Sequence, residues 1–289
     1  MSLRSLHNYD HLSHKHPTQN FSTFIPEYKK AELFADGKKI PVKPTCFVSG
    51  KIKDKKAILS SLISLERFVE DTNINFNPCC REFSRGNHYF APSVAVRPKD
   101  LKKICDAKVV TGEVIVRKQK HQSKNILVGN RENPKNILFC HYDSIGPGAV
   151  DNASGTAVLL ELILSHPETL KNNLYVIAGN EELSYDKPIY WGFGYRVFEK
   201  QYPLLLKNAN QIFCVDCVGN GKTVFDQNIE IVRLGLPIKN LQKYLCKMYA
   251  VYGDFEKLME VYHGDNDTLD KVKNRYLEDA VSAVYQKIR

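Results

Sequence analysis

The chain has 289 residues, 43% hydrophobic and 25% charged, with 16 Gly and 13 Pro, the make-up of a folded protein and not of a collagen-like, low-complexity or disordered one. No run approaches the roughly 18 uncharged apolar residues that cross a bilayer, and residues 1–21 lack the apolar block of a secretory signal, so a soluble, cytoplasmic protein without a membrane partner is expected. The net charge is +9, and residues 1–60 carry 11 Lys and Arg against 5 Asp and Glu. These are scattered pairs such as Lys29-Lys30, Lys38-Lys39 and Lys55-Lys56 with no nucleic-acid-binding motif beside them, which reads as a solvated face. Eight cysteines without a secretory signal are expected to be reduced.

In chain order, residues 1–23 hold His7, His11, His14 and His16 among polar residues and read as a loosely docked tail. A lysine-rich stretch over 31–56 contains strand-like pieces with a turn at Asp36-Gly37. The apolar positions Ile58, Leu59, Leu62, Ile63, Leu65, Phe68 and Val69 predict a helix over 57–70. Residues 73–92 are irregular and include the adjacent, unbonded pair Cys79-Cys80. A short helix over 100–104 and a strand over 112–117 follow. Beyond them, buried strands over 136–140, 174–178 and 211–215 alternate with helices over 155–164, 195–200, 238–249 and 276–288. Continuous apolar strands between helices predict an α/β fold with a mixed, largely parallel sheet sandwiched by helices, in which ligands bind beyond the carboxyl ends of the strands.

Each of the three buried strands runs directly into polar residues: the first into His141-Tyr142-Asp143, the second through Gly179-Asn180 into Glu181-Glu182, the third into Asp216. Asp151 lies between the first two at the mouth of a helix, and His263-Gly-Asp-Asn-Asp lies near the C-terminus, where Asp265 or Asp267 could compete with His263 as an oxygen donor. Carboxylates gathered at one sheet edge repel one another unless a cation lies between them. Imidazoles and carboxylates without thiolate suit zinc, cobalt or manganese in a catalytic site. Asp151 could bridge two ions, and in His141-x-Asp143 the carboxylate could accept the N–H of a metal-bound imidazole. The side chains of Glu181 and Glu182 diverge, so one can ligate while the other acts as general base.

The strings CHYDSIGPGAVDNASGTAVLLEL (140–162), NEEL (180–183), VDC (215–217) and YHGDNDTLD (262–270) resemble, in order and spacing, the co-catalytic di-zinc aminopeptidases of metallopeptidase family twenty-eight. APSVAVRPKDLKKI (91–104) with SKNILVGN (123–130), and AELFADGKKIPVKP (31–44), are similar to the lead-in and the small insert found in some members. The resemblance implies two zinc ions: His141 and Asp216 on one, Glu182 and His263 on the other, Asp151 bridging. It implies Glu181 as general base for a metal-bridging water, Asp143 as the residue orienting His141, and a non-proline cis peptide at Asp151-Asn152. It further implies a zinc exopeptidase-like fold divided into an N-terminal extension (1–30), a small accessory region (31–105) flanking the cleft, and a catalytic domain (106–289). The expected substrates are peptides shortened from their N-terminus, with no nucleic-acid partner and no indicated oligomer. A glutaminyl cyclase or carboxypeptidase on the same fold, or a non-catalytic peptide-binding scaffold, are the alternatives.

Two segments depart from the family pattern. Leu183 to Trp191 intervenes between the paired glutamates and the next helix, and only 47 residues separate Asp216 from His263; both normally shape the substrate pocket. In Cys214-Val-Asp-Cys217 the two thiols straddle Asp216 and read as packing. Gly219-Asn-Gly221-Lys222-Thr223 lacks the first glycine of a phosphate loop. Of the aromatic run after the paired glutamates, Tyr190 and Trp191 are candidates for a pocket wall. His88, His121 and His166 read as satisfied core histidines.

Overall fold

The computed structural model describes residues 17–62, 70–187 and 189–289. Thirteen strands are found among these residues: β1 (Thr18–Ala35), β2 (Lys38–Ile40), β3 (Lys43–Pro44), β4 (Gly50–Ile52), β5 (Ile58–Ser60), β6 (Asn73–Phe76), β7 (Ser93–Ala95), β8 (Val110–Gly129), β9 (Asn136–His141), β10 (Asn173–Ala178), β11 (Gln211–Val215), β12 (Val224–Asp226) and β13 (Met248–Tyr252). The helices are α1 (Leu101–Asp106), α2 (Gly155–Ser165), α3 (Phe193–Gln201), α4 (Pro203–Asn208), α5 (Ile229–Gly235), α6 (Leu241–Tyr244), α7 (Phe255–Met259) and α8 (Asn274–Ile288).

A mixed sheet in the order β12-β13-β11-β9-β10-β8-β1-β2, with β4 on β8, carries the molecule. Its four central strands β13, β11, β9 and β10 are parallel, and the pairings toward either edge are antiparallel. The alternating residues of the central strands explain why these strands are apolar between their ends. Ile137, Phe139, Leu174, Val176 and Ile212 pack with α3, α4 and α5 on one face. Leu138, Cys140, Tyr175, Ile177 and Phe213 pack with α2 and α8 on the other. A strand buried on both faces carries its polar residues at its ends, as Asn136 and His141 stand in β9.

The second feature is the antiparallel ribbon of β1 and β8, paired from Thr18↔Ile126 to Ala35↔Val110 with one shift of register between Tyr28 and Lys30. One end joins the main sheet through β10. The other packs Leu33, Val110 and Val114 against Ile52, Ile74, Val94 and Ile104, the core under a small four-stranded sheet in the order β3-β7-β6-β5.

Several expectations change. The helix over 57–70 is replaced at its start by strand β5, and residues 63–69 lie outside the described residues. The helix over 238–249 is limited to α6 and one following turn, and Met248–Tyr252 form a parallel strand of the main sheet instead. The 112–117 strand is the first part of one of 20 residues. Residues 18–23 of the supposed tail belong to β1, and the four N-terminal histidines lie outside the described residues. The Asp36-Gly37 turn is present, with Gly37 at φ 77. Among the described residues no helix is long and apolar enough to cross a membrane.

Candidate metal centre

Because β9, β10 and β11 are parallel neighbours, their carboxyl ends reach one edge together, and the residues that follow them meet there. His141 closes β9. Glu181 and Glu182 follow β10 after Asn180, at φ 59, and Asp216 follows β11 immediately before Cys217, at φ 55, so left-handed residues turn both chains sharply out of the sheet. Asp151 sits in the turn into α2, and its bond to Asn152 is cis, as the resemblance implied. Asn152 fixes that turn: its Nδ2 donates to the Val215 carbonyl at 3.1 Å, and its Oδ1 accepts from the N–H groups of Gly155 and Cys217 at 2.9 and 3.3 Å. His263 lies in a turn beyond α7 at φ 50, held by the segment before β7, where the Arg85 N–H donates to the His263 carbonyl at 3.0 Å.

The side chains form two groups that share Asp151. Nε2 of His141 is 3.3 Å from Asp151 Oδ1 and 3.5 Å from Asp216 Oδ1. Nε2 of His263 is 3.3 Å from Asp151 Oδ2 and 3.0 Å from Glu182 Oε2. Within each trio the potential ligand atoms lie within 4.8 Å of one another. His141, Asp151, Glu181, Glu182 and His263 are buried, and Asp216 is half-buried.

The second ring nitrogens decide whether this set suits a divalent cation. Nδ1 of His141 faces the Asp143 carbonyl at 3.0 Å, and Nδ1 of His263 faces the Arg85 carbonyl at 3.2 Å. A carbonyl only accepts, so each Nδ1 carries its proton and each Nε2 is turned to the carboxylates, the aim of a metal ligand; with a cation between them Nε2 would offer its lone pair, and without one it carries a second proton. The electrostatics agree. Burial would push His141 down, but Asp216 and Asp151 outweigh it and hold it well above its ordinary value. His263 is likewise lifted against burial, to about 10, by Glu182 and Asp151. Burial pushes Glu181 well up, with Glu182, Asp216 and Asp143 adding to it. The cluster calls for positive charge, and without a cation the imidazoles supply it.

Asp143 meets His141 through its backbone carbonyl. Its carboxylate is 3.8 Å from His141 Nδ1, because the backbone carbonyl of the same residue occupies that position. The two carboxylate oxygens instead accept the backbone N–H groups of Glu181 and Glu182, each at 3.0 Å. Glu182 is further held by the Ile145 N–H, which donates to its Oε1 at 3.2 Å. Asp267 is a residue the spacing could not assign, having read only as a competing oxygen donor beside His263. Buried, it accepts from the N–H groups of Val150 and Asp151 at 2.8 and 3.1 Å and so fixes the turn that presents Asp151. Asp265, the other competing donor, faces Lys43 at 3.5 Å.

Tyr190 and Trp191 both line the cleft over these groups, with Asn87 and Tyr262. The Tyr190 hydroxyl donates to Asn87 Oδ1 at 2.6 Å and accepts from the His88 N–H at 2.9 Å. His88 is buried, yet neither ring nitrogen has a hydrogen-bond partner among the described residues, and burial and Arg85 hold its pKa well down. His121 and His166 are half-buried rather than core. All eight cysteines are free, with Cys214 and Cys217 buried.

Residues 125–231 match the family model of peptidase family M28. The match spans His141, Asp151, Glu181, Glu182 and Asp216 and stops short of His263. No curated protein matches the chain in sequence. Among solved structures, a zinc aminopeptidase from Bacillus subtilis is 16% identical with a TM-score of 0.63, over 100% of this chain and 90% of that one. A peptidase M28 precursor from Shewanella amazonensis is 14% identical with a TM-score of 0.64, over 98% and 85%. An aminopeptidase from an Aneurinibacillus species is 17% identical with a TM-score of 0.57, over 100% and 89%. At such identities these structures establish a shared fold along the chain, and the mixed α/β class read from the sequence is that fold.

Proposed function

We propose that this protein is a zinc aminopeptidase that removes N-terminal residues from peptides. The observation that carries the reading is the pair of buried ligand trios sharing Asp151, with both Nε2 atoms aimed at it. His141, Asp151 and Asp216 would hold one ion, and Asp151, Glu182 and His263 the other, with cobalt or manganese as substitutes. Zinc bound there supplies Lewis acidity to the scissile carbonyl and acidifies water in the cleft.

Glu181 belongs to neither trio and would serve as general base, taking a proton from the attacking water and passing it to the leaving amine. Its buried surroundings, which raise its affinity for a proton, suit that exchange. Asp143 holds the peptides of both glutamates, so base and ligand keep a fixed spacing. The accessory region flanks the cleft through Asn87.

Elemental analysis together with product analysis on wild type and Glu181→Gln tests the reading. Two equivalents of zinc, release of amino acids only from peptides with a free N-terminus, and a loss of about 100-fold or more in the metal-loaded variant are expected. One equivalent with ammonia released from an N-terminal glutamine would make the protein a cyclase. Tight zinc without turnover would make it a binding scaffold.

A further inference from the structure

The β1–β8 ribbon has an open side. On one edge β8 pairs with β1 from 110 to 126. On the other, β4 covers it only at 112–114 and β10 only at 126–129. In an antiparallel strand alternate residues turn both N–H and C=O to the same edge. The Val116 N–H donates to Ser49 Oγ at 2.8 Å and the Val116 carbonyl accepts from it at 3.0 Å. The Tyr142 hydroxyl donates to the Lys124 carbonyl at 2.9 Å. The even-numbered residues therefore face the open side, and both of its ends are clipped. Between the clips, no described residue pairs with the peptide groups of Lys118, Lys120 and Gln122, and all three residues are exposed.

The charge along this edge has one sign. Residues 117–124 hold Arg117, Lys118, Lys120 and Lys124 and no Asp or Glu. The β1 residues opposite 118–124 are uncharged; Glu27, opposite Arg117, is taken by Lys29, and Glu113 by Lys30. Lys118 Nζ is held over the Phe24 and Tyr185 rings at 4.6 and 4.9 Å. A row of unpaired peptide groups is a template for another strand. A second copy of this chain would set its own lysines against these, and like charges across a ladder repel. A strand with carboxylates at every second position would instead face Lys118, Lys120 and Lys124, which share one face.

We propose that the open edge of β8 binds an extended, acidic segment of another protein, which adds as a strand across Lys118, Lys120 and Gln122.

The full chain is titrated with a fluorescent heptapeptide alternating Thr and Glu, blocked at both ends so that exopeptidase action cannot consume it. Anisotropy reads binding, and hydrogen exchange at the Lys118, Lys120 and Gln122 amides reads its place. Saturable binding is expected, with exchange at those amides slowed by about 10-fold or more. The matching Thr-Lys peptide should bind at least about 10-fold more weakly. So should the Thr-Glu peptide N-methylated on its Glu residues, which keeps the charge and loses the N–H groups turned to the edge. Lys120→Glu should weaken the Thr-Glu peptide by a similar factor, and Lys120→Gln by less, each with an unchanged circular dichroism spectrum. Failure of the Thr-Glu peptide to bind overturns the proposal. Equal binding of the N-methylated peptide does so as well, since charge alone would then be at work. If a single-stranded oligothymidylate binds and the peptide does not, the lysines form a nucleic-acid face instead. Slow exchange of the three amides in the free protein would mean that the chain itself fills the edge, and this too overturns the assignment.

Discussion

At the scale of single residues, most of the site consists of groups that hold other groups in place. Asp143 shows this best, because its backbone and its side chain do different jobs. Asp143→Ala leaves the carbonyl on His141 intact and removes the acceptor for the Glu181 and Glu182 peptides. The variant should therefore retain zinc on the His141 side while kcat falls about 10- to 100-fold, measured by elemental analysis beside turnover; loss of zinc from that side would mean that the carboxylate, after all, orients the imidazole. The raised imidazoles lead to a pH prediction. His263 has a folded pKa of about 10 against an ordinary 6.5, and His141 is raised in the same sense. The metal-free folded chain thus binds protons that the unfolded chain has released. Their stabilisation is complete below about pH 6.5 and is lost as pH rises through about 10. Glu181 and Glu182, also raised, act with the same sign from lower pH, whereas the lowered Asp151 contributes a constant gain above its ordinary range. In scanning calorimetry the Tm of chelated protein should fall from pH 7 to 10, and zinc should largely abolish the slope.

At the scale of elements, legibility followed environment. β9, β10 and β11 were read to within a residue of their observed bounds because they are buried on both faces, and the residues after them announced the site. The long strand β8 was read only in part, since its middle, Arg117-Lys-Gln-Lys-His121, stands in a two-stranded ribbon with both faces near solvent and carries no apolar alternation. The first two residues of β13, Met248 and Tyr249, read as the end of a helix because they follow on from the apolar residues of α6 without a break, and only the place of the strand beside β11 selects the extended form. Asp267 could not be assigned, as its role depends on a turn 116 residues away in sequence. A local consequence concerns the entry to α2. Gly155 lies so close to its neighbours that a Cβ would stand 2.4 Å from both Asn152 Oδ1 and the Val215 carbonyl oxygen. Gly155→Ala should cost about 2 kcal/mol or more and weaken zinc binding, since the Asn152 clamp must move; denaturant unfolding with chelator competition checks both.

At the scale of the whole molecule, the site lies on a seam. His141 closes β9, Glu181, Glu182 and Asp216 follow β10 and β11, and Asp151 sits in the turn into α2, while His263 belongs to a loop held by residues 83–85. Arg85 N–H donates to the His263 carbonyl and Asp265 N–H to the Phe83 carbonyl, and Ser84 bridges Gly264. None of residues 83–85 belongs to either trio, yet zinc should slow hydrogen exchange at the Arg85 and Asp265 amides, because fixing His263 fixes what it rests on. Unchanged exchange there on zinc addition would separate the accessory region from the site.

The same seam orders the assembly in time. His141, Asp151 and Asp216 lie within one stretch of chain and come together as the parallel strands form. His263 is seated only when it meets Arg85 across 178 positions, a closure that loop entropy makes late. On the proposed ligand sets the first ion can be taken up by a half-built protein, whereas the second waits for the chain to close on itself. Occupancy of that second ion should therefore rise together with the seating of His263 during refolding.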